Sequence, residues 1–174
     1  MKRPAAAFGI AAATMAGLVA IAAAQQEPGT WQEIEEPGVY SQYFFTAVPA
    51  LQDIMADGQD PGLVEFVIAC WDGQRTDVGL SFDTAVRRDV PITIALDLQP
   101  PVQEIWDAGE WQGTFVGVSD EEKAIALIRR LLGTERLTLQ LAPHGRVATY
   151  TFVMKGIEIP AAAVAERCGW TLNQ

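Results

Sequence analysis

One histidine, two cysteines and three serines in 174 residues leave little of the usual hydrolytic chemistry. The histidine, His144, lies in the turn-like stretch Pro143-His144-Gly145-Arg146 and reads as a solvated turn residue. A catalytic triad would need it beside a serine and a carboxylate. The serines are Ser41, Ser81 and Ser119, none of them in a Gly-x-Ser-x-Gly elbow. A lone histidine and the absence of any Cys-x-x-Cys pair count against a zinc site of ordinary composition. No phosphate-binding Gly-rich loop, dinucleotide fingerprint or calcium loop occurs. Basic residues are also scarce: 12 Lys and Arg against 22 Asp and Glu give a net charge of −10. That balance disfavours nucleic acid, whose phosphates require cations, and adsorption to anionic lipid. No catalytic, cofactor-binding or metal-ligating residue is assigned, and no cofactor is expected.

The long hydrophobic run that does occur is at the N-terminus. Lys2 and Arg3 precede an apolar, small-residue stretch that ends in Ala22-Ala23-Ala24, followed by Gln25-Gln26-Glu27-Pro28. Positive charge, apolar core and a small-residue site form a secretory signal peptide over residues 1–24. An uncleaved membrane anchor is the alternative, since the run is long enough to span a bilayer. Cleavage near Ala24 would leave 150 residues; it removes Lys2 and Arg3 and no acid, so the net charge becomes −12. A chain of that length suits a single domain with a substantial core, here exported and periplasmic.

Residues 25–38 are polar and acidic, with Pro28, Gly29, Pro37 and Gly38, and read as a linker from which Trp31 docks onto the domain. The remaining residues, 39–174, form the predicted domain. Strands are predicted over 39–48, 63–71, 76–82, 91–98, 102–107 and 111–118 from their β-branched and aromatic content or alternation. Asp72-Gly73 is a hairpin signal between the second and third of these. Residues 52–62, with Asp57-Gly58 and Asp60-Pro61-Gly62, and the Arg87-Arg88 segment read as loops. Over 119–133, Ala124, Leu127, Ile128 and Leu131 recur at helical spacing. There Ser119 and Glu122 make a capping box, and Gly133 is the terminator. Leu137, Leu139 and Leu141 begin a hairpin that returns over 147–153, and Pro160 opens a short helix over 161–167. Strands joined by short turns, with one amphipathic helix and a short C-terminal helix, predict a β-rich, mostly antiparallel α+β domain.

The two cysteines fall at telling places. Cys70 ends the most apolar strand and Cys168 stands in the terminal Cys168-Gly169-Trp170. In an oxidising compartment such a pair forms a disulfide; a reactive or metal-binding thiol is the alternative. Of the five tryptophans, Trp71 and Trp170 are expected to pack around that bridge, and Trp106 and Trp111 to form an exposed interaction patch. Asp107, Glu110 and Asp120 lie near those two tryptophans, a neighbourhood that could also suit a sugar site.

The landmarks in order are Trp31, Leu63-x-x-x-Val67-Ile68-x-Cys70, Thr76-Asp77-Val78, Trp106, the helix Ala126-Leu127-Ile128-Arg129-Arg130-Leu131-Leu132-Gly133, Pro143-x-Gly145, Thr149-Tyr150-Thr151-Phe152 with Gly156, and Cys168-Gly169-Trp170. Their succession resembles the VasI-like envelope proteins associated with bacterial type VI secretion. The chain departs from the family at Pro37-Gly38-Val39-Tyr40-Ser41, at Arg87-Arg88 and at Pro100-Pro101. The resemblance implies a small exported accessory protein, non-enzymatic, with an envelope or secretion-system protein as partner, and carries over no catalytic residue. Partner capture is expected through aromatic surface and strand addition at a sheet edge. The rival readings are a cell-wall glycan-binding module or hydrolase, and an inhibitor of a secreted enzyme.

Overall fold

The computed structural model describes residues 30–37, 42–50, 54–55, 63–83, 85–86, 89–108, 113–142 and 145–172. In chain order these form β1 (Gln32–Pro37), β2 (Gln42–Pro49), β3 (Ile54–Met55), β4 (Val64–Trp71), β5 (Arg75–Phe82), β6 (Val90–Leu96), β7 (Val102–Ala108), β8 (Phe115–Val118), α1 (Glu121–Leu131), β9 (Arg136–Leu141), β10 (Ala148–Val153) and α2 (Glu158–Cys168). The architecture is the β-rich, two-helix type anticipated from the pattern. The strands run in the order β1-β2-β4-β5-β8-β7-β6-β9-β10-β3, and every pairing is antiparallel. No helix among the described residues is long and apolar enough to cross a membrane.

The β4–β5 hairpin is the centre of the molecule. Apolar residues on both sides of β4 keep it buried on both faces: Phe66 and Ile68 are fully buried, and so are Val67 and Ala69 at 1% exposure. Asp72 and Gly73 turn the chain at positive φ, as the Asp-Gly pair predicts. Phe66 of β4 meets Phe152 of β10 at 5.8 Å between ring centres, and Phe82 of β5 meets Tyr150 of β10 at 5.9 Å. These strands lie well apart in the strand order, so the sheet folds over and its halves enclose one core. Both helices contribute to that core, α1 packing against β5 and β8, and α2 against β4.

A glycine pair lets β8 join β5. Gly79 stands opposite Gly117 across this ladder, and the ring of buried Phe115 covers them. A methyl group at Gly79 would come 2.8 Å from that ring and still closer to the Val116 carbonyl. The missing side chains are therefore a steric requirement of the aromatic cover.

Several local expectations are corrected. Six residues of the predicted linker are strand, since β1 pairs along its length with β2. An edge strand is paired on one side alone, so acidic residues and a terminal proline are tolerated there. The N-cap of α1 is Asp120, not Ser119: its Oδ1 accepts from the Lys123 backbone N–H at 3.1 Å. Pro160 is the third residue of α2 rather than the first. That position is still in the first turn, where an N–H has no intrahelical acceptor. The buried face of α1 is the predicted set, Ala124, Leu127, Ile128 and Leu131.

Candidate interaction surface

Cys70 and Cys168 are joined in a disulfide, with Cα atoms 5.7 Å apart and 98 positions of chain between them. Thr76 is the cross-strand partner of Cys70, and its hydroxyl accepts from the Trp170 indole N–H at 2.9 Å. Arg129 of α1 donates to the Thr171 carbonyl at 2.7 Å and lies 5.9 Å over the Trp170 ring. One covalent bond, two hydrogen bonds and a cation–π contact thus hold the C-terminal segment on the hairpin and on α1. Next to Cys70, Trp71 lies under Arg75, which stacks over it at 5.5 Å and pairs with the buried carboxylate of Asp77 at 3.3 Å.

Trp106 does not form the exposed patch expected of it. It is 1% exposed and belongs to the core, its indole N–H donating to Glu104 Oε2 at 3.1 Å. The reason is the period of β7: Glu104 and Trp106 share one face. The second carboxylate oxygen of Glu104 is taken by Arg130 of α1 at 2.8 Å, which neutralises the acid beside the ring. Trp111, Glu110 and His144 lie outside the described residues, as do Arg87 and Arg88 and the predicted cleavage site. Asp107 is exposed on β7, and Asp120 is occupied as a helix cap. No group of three or more His, Cys, Asp or Glu side chains among the described residues could hold a metal ion.

The surface that does stand out is the far side of β7. This strand pairs with β6 over Val102–Trp106 and with β8 at Asp107 and Ala108 alone. Beyond Val118 the chain leaves the sheet to start α1. A groove of about 510 Å³ opens there between β7 and α1, lined by Glu104, Ile105, Asp107, Lys123, Ala126 and Arg130 among others.

Pro91 shows which backbone groups of β7 point away from β6. Antiparallel partners alternate between pairs that exchange two hydrogen bonds and pairs that exchange none. Pro91 stands opposite Ile105 and has no N–H, so theirs is a non-bonded pair. The Ile105 N–H and C=O therefore point away from β6, and those of Gln103 do so two residues earlier. Among the described residues no strand meets this part of the edge. Apolar side chains crowd the same strand: Ile105 is 73% exposed and Val102 52%, with Leu98 in the preceding turn fully exposed.

No known protein family matches the chain, and no curated protein is similar to it in sequence. Among solved structures it is similar to invasion associated protein B from Bartonella henselae. The identity is 10% and the TM-score 0.45, over 81% of this chain and 95% of that one. A likeness of that degree bears on neither fold nor function.

Proposed function

We propose that this is an exported, non-enzymatic binding protein of the bacterial envelope, an accessory to a larger envelope assembly. The observation that carries the reading is the Cys70–Cys168 disulfide, which ties the end of the chain to the central hairpin. Such a bond persists in an oxidising compartment, and the chain opens with a signal-peptide pattern addressed to one. The VasI-like order of landmarks makes a type VI secretion subunit the first partner to seek. Of the two tryptophans that the glycan-binding or hydrolase alternative would use, Trp106 is buried in the core.

The test is in-envelope cross-linking of the tagged full chain in its own host, followed by purification and mass spectrometry. Recovery of a secretion-apparatus or other envelope protein, cross-linked at defined positions of this chain, is the expected result. Recovery of glycan fragments with no protein partner would overturn the reading.

A further inference from the structure

We infer that the open edge of β7 is a strand-addition site for an extended, basic segment of a partner protein. The inference rests on the binding function just proposed and names the site and the chemistry of its occupant.

Four backbone groups, the N–H and C=O of Gln103 and of Ile105, point away from β6 along this edge, and Ile105 lines the groove. An extended segment laid there continues the ladder that β8 begins at Asp107 and Ala108, where β8 itself turns away into α1. Ile105, 73% exposed, offers one apolar contact on the solvent side of the inserted strand. On the α1 side the wall is Lys123, Ala126 and Arg130, of which Ala126 leaves room for a side chain. Main-chain bonds supply affinity in this mode, and alternate side chains supply selectivity.

Charge selects the occupant. Within the groove Arg130 is already paired with Glu104 at 2.8 Å and Lys123 with Asp120 at 3.9 Å. Asp107 is exposed and has no cationic partner among the described residues. The whole chain carries −10, so long-range attraction also favours a cationic segment. A strand that alternates apolar residues with lysine or arginine meets these conditions. An acidic strand would place its charges against Asp107 and the general field.

The experiment uses the isotope-labelled exported chain and two blocked hexapeptides, one alternating lysine and valine, the other glutamate and valine. The expected result is saturable amide shifts and slowed hydrogen exchange at Gln103 and Ile105 with the lysine peptide alone. Gln103→Pro removes one N–H from the open edge without touching the β6 ladder, so the fold survives. It should weaken binding about tenfold, the effect of one lost backbone hydrogen bond. Asp107→Lys should weaken binding of the lysine peptide and narrow its advantage over the glutamate peptide, the net negative charge of the chain being retained.

Shifts centred elsewhere, no response to the lysine peptide, equal response to both peptides, or unchanged binding by folded Gln103→Pro would each overturn the inference. Shifts at Gln103 and Ile105 that grow with protein concentration alone would replace the basic partner with a second copy of the chain. A partner cross-linked in the envelope at a surface remote from β7 would remove this site and leave the binding function standing.

Discussion

Removing the disulfide should cost stability by an amount that can be worked out beforehand. The bond closes 98 positions of chain, which in the chain-entropy treatment corresponds to about 4–5 kcal/mol. The informative variant replaces both cysteines by alanine. Cys70 is 2% and Cys168 8% exposed, so serine would add the separate penalty of burying a hydroxyl. The other attachments of the C-terminal segment survive the change. Ile157, Ala161 and Val164 stay buried, Trp170 still donates to Thr76, and Arg129 still donates to Thr171. The variant should therefore fold and lose chiefly the entropic restraint on its unfolded chain. For a domain of this size each kcal/mol moves the melting temperature by roughly 2–4 °C, so the variant should melt about 10–15 °C lower. The assay is thermal denaturation followed by circular dichroism, with and without reductant. Reductant should bring the wild type down to the variant and leave the variant where it is. A variant melting within about 2 °C of the oxidised wild type would refute the reasoning.

Four further substitutions probe the fold and its corrections. Gly117→Ala pushes a methyl group into the Phe115 ring and the β5 backbone, and should cost about 1–3 kcal/mol in urea denaturation. Trp106→Ala should cost about 3–5 kcal/mol in the same measurement, because it empties a core position rather than trimming a surface. Asp120→Ala should cost about 0.5–2 kcal/mol through the lost cap. Ser119→Ala should be nearly silent by comparison, and the reverse ranking would restore Ser119 as the cap.

Much of the fold was legible because local signals agreed with tertiary needs. Leu137, Leu139 and Leu141 alternate, and β9 spans the predicted residues. The 3.6-residue spacing of Ala124, Leu127, Ile128 and Leu131 marked the buried side of α1. Other elements carried no such signal. The acidic β1 reads as solvated chain until β2 pairs with it. The start of α2 has Ile157 as its cap, with no side-chain hydrogen bond to announce it. The capping-box spacing of Ser119 and Glu122 pointed to Ser119, but the next residue can cap as well, and the backbone geometry makes Asp120 the cap.

The candidate site was harder to foresee. A tryptophan flanked by Glu104 and Asp107 reads as exposed, because the neutralising Arg130 is 26 positions away in sequence. The open edge of β7 depends on which strands become neighbours. β8 abandons β7 after two paired residues, a property of topology that no local pattern encodes. Pro91 was visible from the start, yet its meaning as the marker of a non-bonded pair appears only once Ile105 is placed opposite.

The most direct test of an exported, disulfide-stapled binding protein is the intact mass of the chain recovered from its host after osmotic release of the periplasm. Alkylation is done before and after reduction. The expected result is a chain that begins just after Ala24 and takes up two alkyl groups only once reduced. A full-length chain retained with the cells, its Cys70 and Cys168 alkylated without reduction, would contradict it.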